Sequence, residues 1–321
     1  MFNTIYHATR DWAFDVLNIF WGLVKIMVPI LIVVKFVEEL GWIVLLGEGI
    51  SPIMSWVGLP GEMGLVWVTA ITGNLYAGMA LFYQFNTVEQ LTVAQVSILS
   101  SMMLIAHGLP IEAAVAKAVG VSLRFTLLLR VGGALLFGVI LHLSYQFFDV
   151  LQTPVSVYWV PEHSNGGWLS WLIVQVKTLV AALCIIALLT LLLRGIRHIG
   201  LEKFIHFLLS PLLRLLGIGS KASNIIVIGF LLGLTFGGSL LIKEEKDGEM
   251  TRKDIFLIMA FLGLSHSIIE DTLLMLLLGA DLLTILWIRL IFAFIVVAAL
   301  ARGMDWLMQS RFAYRLKNKR I

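Results

Sequence analysis

Five ionisable residues lie inside apolar runs of this chain, in two clusters of similar make-up. One is His107-Gly108-Leu109-Pro110-Ile111-Glu112; the other is Ser265-His266-Ser267-Ile268-Ile269-Glu270-Asp271. Each joins an imidazole, which titrates near neutral pH, to one or two carboxylates. Such groups can relay a coupling proton or bind a coupling sodium ion. The set His107, His266, Glu270 and Asp271 would also make an oxygen- and nitrogen-rich divalent metal site. The spacings His-x4-Glu and His-x3-Glu-Asp are not zinc signatures, and no HExxH is present. A plainer role competes with each of these. Acids in the first turn of a helix are stabilised by its N-terminus, so Glu270 and Asp271 also suit caps. Glu112, following Pro110, suits one even better. A lone histidine among apolar residues is more often a hydrogen-bonded structural residue than a ligand.

Two further polar residues sit where the chain can reverse. Asn74 follows Gly73, and Ser239 follows Gly237-Gly238. Glycine permits sharp reversal and close backbone approach, and amide or hydroxyl groups can hydrogen-bond a polar solute. Helix packing through small residues explains the same pattern. The candidate solute- or ion-binding residues are therefore Asn74, His107, Glu112, Ser239, His266, Glu270 and Asp271. No catalytic residue is expected. Ser265 and Ser267 are too close in sequence to His266 to read as a catalytic pair, and the single cysteine, Cys184, excludes a disulfide framework or a cysteine metal site.

The elements that must position these groups are membrane helices. Of 321 residues, 60% are hydrophobic and 13% charged, and the mean hydropathy is +0.96. Soluble domains are about 45–50% apolar and about 25% charged, so a water-covered soluble enzyme is excluded. A net charge of +3 gives no case for nucleic-acid binding. Spans of about 20 apolar residues fall at roughly 14–36, 121–145, 168–193 and 282–303. Longer stretches at 93–119 and 254–280 are interrupted by the two clusters. Stretches 64–84 and 223–242 carry glycine near their middles and read as re-entrant segments, while 40–58 and 203–217 read as interfacial amphipathic helices. The first span is no signal peptide, because no short apolar core precedes a small-residue cleavage site.

Basic residues accumulate in cytoplasmic loops. The tail from Arg311 to Arg320 and the run Arg194-Gly195-Ile196-Arg197-His198 should be inside, whereas the loop from Ser144 to Trp168, with no Lys or Arg, should be outside. The expected location is a bacterial inner membrane with both termini cytoplasmic.

The chain also repeats itself without a gap at an offset of 159 residues. Ser51-Pro52 matches Ser210-Pro211, Gly78 matches Gly237, Thr92 matches Thr251, His107 matches His266, Glu112 matches Asp271, and Arg130 matches Arg289. The matched spans 121–145 and 282–303 end on opposite sides by the charge rule, so the halves are expected to be inverted copies. The expected fold is an all-α polytopic membrane protein of two inverted repeats. Each repeat would hold three crossings, an interfacial helix, a re-entrant segment and a broken helix. The division is 1–150, an external loop 151–167, 168–305, and a basic tail 306–321. Arg130 and Arg289 would anchor near opposite faces or pair with acids, and Lys25 and Lys177 would neutralise carboxylates or snorkel.

Residues Trp21-Gly22-Leu23-Val24-Lys25-Ile26-Met27-Val28-Pro29, then Gly41, Ser51-Pro52 and Gly58-Leu59-Pro60, resemble the Gate-domain proteins, also described as nucleoside-recognition-domain proteins. The segment from Gly73-Asn74 to His107-Gly108 and its second copy are similar too. The family is related to bacterial spore maturation membrane proteins and to the membrane regions of concentrative nucleoside and ferrous iron transporters. The resemblance implies paired re-entrant hairpins and broken helices around a central site, onto which the seven candidate residues map by position. The Gln-Thr-Glu and Ser-rich hairpin motifs of a sodium-coupled nucleoside carrier are not seen here, nor is a GTP-binding domain.

Inverted repeats with broken helices are the architecture of secondary transporters. The expected function is alternating-access transport of a small polar solute: a nucleoside-like molecule, an ion or a divalent metal. Its partners would be membrane lipids, the solute and a second copy in a homodimer. Two alternatives compete: a non-transporting partner in a membrane assembly or signalling pathway, and a metal-dependent membrane enzyme.

Overall fold

The computed structural model describes residues 2–40, 42–85, 88, 90–156, 167–198, 201–215, 218–247 and 250–318. Among the described residues there are fifteen α-helices and no β-strand, so the chain is an all-α polytopic membrane protein. Among the described residues, five helical stretches are long and apolar enough to cross a bilayer: Val93–Ala118, Leu123–Phe148, Trp168–Leu192, Arg252–Leu277 and Leu283–Trp306. The two that carry the histidine clusters are the most interior, with 78% of their apolar windows buried, against 33% or less for the other three. The other three are largely exposed along their apolar windows.

One order of elements occurs twice. In the first half come α1 (Phe2–Glu39), the shorter α2 (Trp42–Trp56), and two short helices α3 (Gly61–Thr72) and α4 (Leu75–Phe82). A broken helix comes next as α5 (Val93–Ile105) and α6 (Leu109–Ala118), then α7 (Leu123–Leu127) and α8 (Gly133–Phe148). The second half runs α9 (Trp168–His198), α10 (Leu201–Leu215), α11 (Ser220–Leu232), α12 (Leu234–Lys246), a broken helix α13 (Arg252–Ser265) and α14 (Glu270–Leu277), and α15 (Arg289–Asn318).

Local features recur at the same offset of 159 residues. Thr92 and Thr251 cap α5 and α13, accepting from the backbone N–H of Gln95 and Asp254. At the breaks, Gly108 and Ser267 both take positive φ, +57° and +47°. Their N–H groups donate to Ala70 O at 2.9 Å and Gly229 O at 3.4 Å. Gly120 and Gly279 stop the broken helices with φ of +78° and +88°. Ser122 and Asp281 then cap the next helical segment of each half, accepting from Phe125 N and Thr284 N. Each half also turns π-helical, though not in the same register, at Leu128–Gly132, which contains the buried Arg130, and at Leu283–Ile288, just before the buried Arg289. π-Bulges inside α-helices are frequent at functional sites.

The compact units of the fold cut across this repeat. One unit comprises Met1–Pro110, Ala134–Leu201 and Glu270–Ile285; the other comprises Ile111–Gly133, Glu202–Ile269 and Leu286–Ile321. Each therefore holds the first part of one broken helix and the second part of the other. The boundaries 110/111 and 269/270 are themselves 159 residues apart.

Inside the first unit, α1 packs along α9. The Trp12 indole donates to Thr190 at 3.0 Å, Arg194 pairs with Asp15 at 2.6 Å, and Val16, Leu31, Trp171 and Ile186 close an apolar seam against Ala77 and Ala80 of α4. The turn between α3 and α4 is made by Gly73 and by Asn74, which is extended (φ −159°) and caps α4. In the second unit, the turn from α11 to α12 is Gly233 at φ +93°. These two helices approach so closely that a Cβ on Gly237 would lie 2.6 Å from Gly229 Cα. Small residues at helix crossings permit this in membranes.

Candidate functional site

Chain breaks bring imidazole and carboxylate together once in each unit. In the first unit α5 ends at Ile105, and His107 lies beyond it on irregular backbone. Its Nδ1 lies 2.9 Å from Met103 O, and its Nε2 lies 3.7 Å from Asp271 Oδ2 in the first turn of α14. In the second unit α13 ends at Ser265. His266 places Nδ1 2.7 Å from Leu262 O and Nε2 3.1 Å from Glu112 Oε1 in the first turn of α6. Met103 and Leu262 are themselves repeat equivalents. Each histidine thus faces the acid of the other repeat, because the units exchange the second parts of the broken helices.

The geometry fixes the tautomer. A ring nitrogen facing a carbonyl must carry the hydrogen, so Nε2 is the nitrogen turned toward the carboxylate. A bare lone pair and a carboxylate are both acceptors, so the 3.1 Å contact between His266 and Glu112 requires a proton between them. At 3.7 Å, His107 and Asp271 are in electrostatic contact beyond hydrogen-bonding distance.

The second pair is embedded in further charge. Arg130, only 1% exposed, forms an ion pair with the other oxygen of Glu112. A cavity of about 10 Å³, room for about one water, lies beside them, lined by Phe125, Thr126, Leu234 and Gly263 among others. The sequence alone left Arg130 open between membrane anchor and ion-pair partner; among the described contacts it is a partner.

The first unit carries a contact that spacing and composition did not signal. The Tyr76 hydroxyl, in the first turn of α4, donates to Glu270 Oε1 at 3.3 Å. Glu270 and Asp271 are adjacent and diverge on the helix, so one meets Tyr76 and the other His107. The helix begins at Glu270, three residues after Ser267, which is held in the left-handed region. Tyr76 stands two residues after Asn74, and an aromatic hydroxyl in the first turn after the Gly73-Asn74 reversal was the signal that could have found it.

Two candidates remain to be placed. Asn74 accepts from Ala77 N at 2.9 Å, so its carbonyl oxygen serves the α4 cap. Ser239 is not at a reversal as expected: the chain turns at Gly233, and Ser239 lies within α12, its side chain outside the described residues. The first unit thus gathers Tyr76, His107, Glu270 and Asp271 near the Asn74 turn, and the second gathers Glu112, Arg130 and His266. Lys25 lies over the Trp21 ring, 5.6 Å from its centroid, and Lys177 is exposed on α9.

Comparison with known proteins agrees with the internal repeat. A family model described as "Gate: Nucleoside recognition" matches residues 20–122 and 179–281, two segments displaced by the same 159 residues at both ends. The chain is also similar to the "Uncharacterized membrane protein YvoD" of Bacillus subtilis (strain 168), with 29% identity over 292 residues covering 88% of this chain and 90% of the relative. No solved structure matches it.

Proposed function

Since the chain belongs to the Gate family of membrane proteins, we propose that it is a secondary transporter that moves a small polar solute by alternating access. The observation that carries this reading is the exchange at the two breaks. Each unit is completed by a half-helix from the other repeat and sets a buried histidine against that half-helix's acid. Irregular backbone at membrane depth is tolerated where it is buried in protein or lines a wet cavity. Ionisable groups inside membrane spans mark solute or ion pathways. Two repeats inverted with respect to each other would give inward- and outward-open states of similar energy.

The solute class proposed first is the nucleoside-like one that the family description names. Glu270, Asp271, His107 and Asn74 would form the solute-binding face, with a proton or sodium as coupling ion. The membrane would be a bacterial cytoplasmic one, with both termini inside.

The test is ligand-induced stabilisation of the purified full-length protein in detergent. A solute bound only by the native state raises apparent stability with concentration. Nucleosides, sugars, amino acids and divalent metals would be compared on wild type and Glu270→Gln. The reading expects a nucleoside-like solute to raise the wild-type melting temperature and to lose that effect in the variant. A flat response to nucleosides, with stabilisation by none of the other solutes, contradicts it.

A further inference from the structure

The two halves agree in their histidines, acids, caps and turns, so the points where they disagree are informative. What is duplicated serves machinery that both halves share. What occurs once serves something met on one side only, and a solute is asymmetric. The Tyr76–Glu270 contact occurs once. The repeat equivalent of Tyr76 is Thr235, and that of Glu270 is Ile111. The Asn74 that caps the half-helix bearing Tyr76 is matched by Gly233. The second half cannot build the same couple.

We propose that Tyr76 and Glu270 form a one-sided subsite that reads hydroxyl groups of the solute, with Tyr76 as its specificity-determining residue. This rests on the transporter reading above and names the chemistry of its site. Glu270 is the half-buried acid at the head of α14, and its described hydrogen bond is the long one from Tyr76, 3.3 Å. A carboxylate offers about four acceptor positions, so it has capacity for incoming donors. The Tyr76 hydroxyl both donates and accepts, so a solute hydroxyl can bond to the carboxylate while accepting from, or donating to, the phenol. Asp271, turned the other way, is engaged by His107. Glu112 is already met by Arg130 and His266.

A metal ion fits this couple poorly. Hard cations require about six oxygen ligands, and a phenol that donates its proton to the carboxylate presents its positive end where a cation would sit. Hydroxyl donors suit it, and a nucleoside sugar carries them.

The experiment is isothermal titration of the full-length protein in detergent with uridine, adenosine and their 2′,3′-dideoxy analogues. Wild type should bind each parent nucleoside about tenfold or more tightly than its dideoxy partner, the scale of a lost hydrogen bond to a charged group. In Tyr76→Phe that ratio should fall to within about twofold, by weaker binding of the parent, with the melting temperature retained. In Tyr76→Trp, which restores an N–H donor of different reach, the ratio should stay low. Tyr76→Phe that binds nucleosides but keeps the wild-type discrimination overturns the subsite and leaves the transporter reading intact. Failure of wild type to bind any nucleoside overturns the nucleoside reading, and this subsite with it.

Discussion

The two helix breaks are built from the same parts and loaded differently. At the second, His266 and Glu112 are 3.1 Å apart and Arg130 closes the cluster, in a pocket with room for about one water. At the first, His107 and Asp271 stand 3.7 Å apart, and a second acid beside them is held by a tyrosine hydroxyl at 3.3 Å. The second break is a closed ionic lock; the first is a looser polar site. The proposed division of labour follows from this difference: the second copy of the motif would hold the fold, and the first, with Tyr76 and Glu270, would meet the solute.

That contrast can be broken most forcefully at Arg130. Removing one partner of a buried ion pair leaves an uncompensated charge, which costs about 3–5 kcal/mol. Arg130→Met should therefore cause near loss of folded protein in detergent, measured by fluorescence-detected size exclusion. Arg130→Met with Glu112→Leu, which removes both charges, should recover much of it. Equal failure of the double variant would mean that Arg130 acts through other contacts.

The two histidines should also differ in their effect on stability. His266→Ala loses a hydrogen bond to a charged group and should cost about 2 kcal/mol. His107→Ala loses the equivalent backbone contact but a longer one to its acid, 3.7 Å against 3.1 Å, and should cost about half as much. Thermal unfolding of the two variants ranks them, and the reverse order would contradict the lock-and-site distinction.

Backbone at the breaks should respond with opposite signs. Ser267 has φ +47° and Gly108 has φ +57°. A non-glycine residue in the left-handed region is disfavoured by about 1 kcal/mol or more. Ser267→Gly should raise the stability measured by thermal unfolding by about 1 kcal/mol, and Gly108→Ala should lower it by a similar amount. The smallest effect is expected at the cap. Asn74→Ala should cost about 0.5–1 kcal/mol, while Asn74→Asp, which keeps the acceptor, should cost less.

Much of the scaffold was legible in the sequence because it is written locally. Composition and span length identified the solvent as lipid, and glycine marked the reversal at Gly73-Asn74, whereas Gly237-Gly238 lies within α12, whose turn is at Gly233. The ungapped offset of 159 residues, read from a few matched residues, is carried by the two family-matched segments and by the capped and left-handed positions of the structure. The pairing was not legible. His107 lies five residues before Glu112 in the chain, yet it meets Asp271, because each unit takes its second half-helix from the other repeat. That exchange is tertiary and leaves no trace in spacing. Tyr76 was missed for a related reason: it acquires meaning only when α4 is set against α14. Asn74 was noticed for its amide, and the structure uses that amide as a helix cap.

Transport requires movement of solute across a bilayer. The direct measurement is counterflow in proteoliposomes: vesicles loaded with unlabelled nucleoside are diluted into labelled nucleoside, with wild type and Glu270→Gln compared at equal reconstituted protein. A transporter of this build should give a transient, saturable accumulation of label with wild type and none with the variant. Wild-type vesicles that take up label no faster than protein-free vesicles would contradict it.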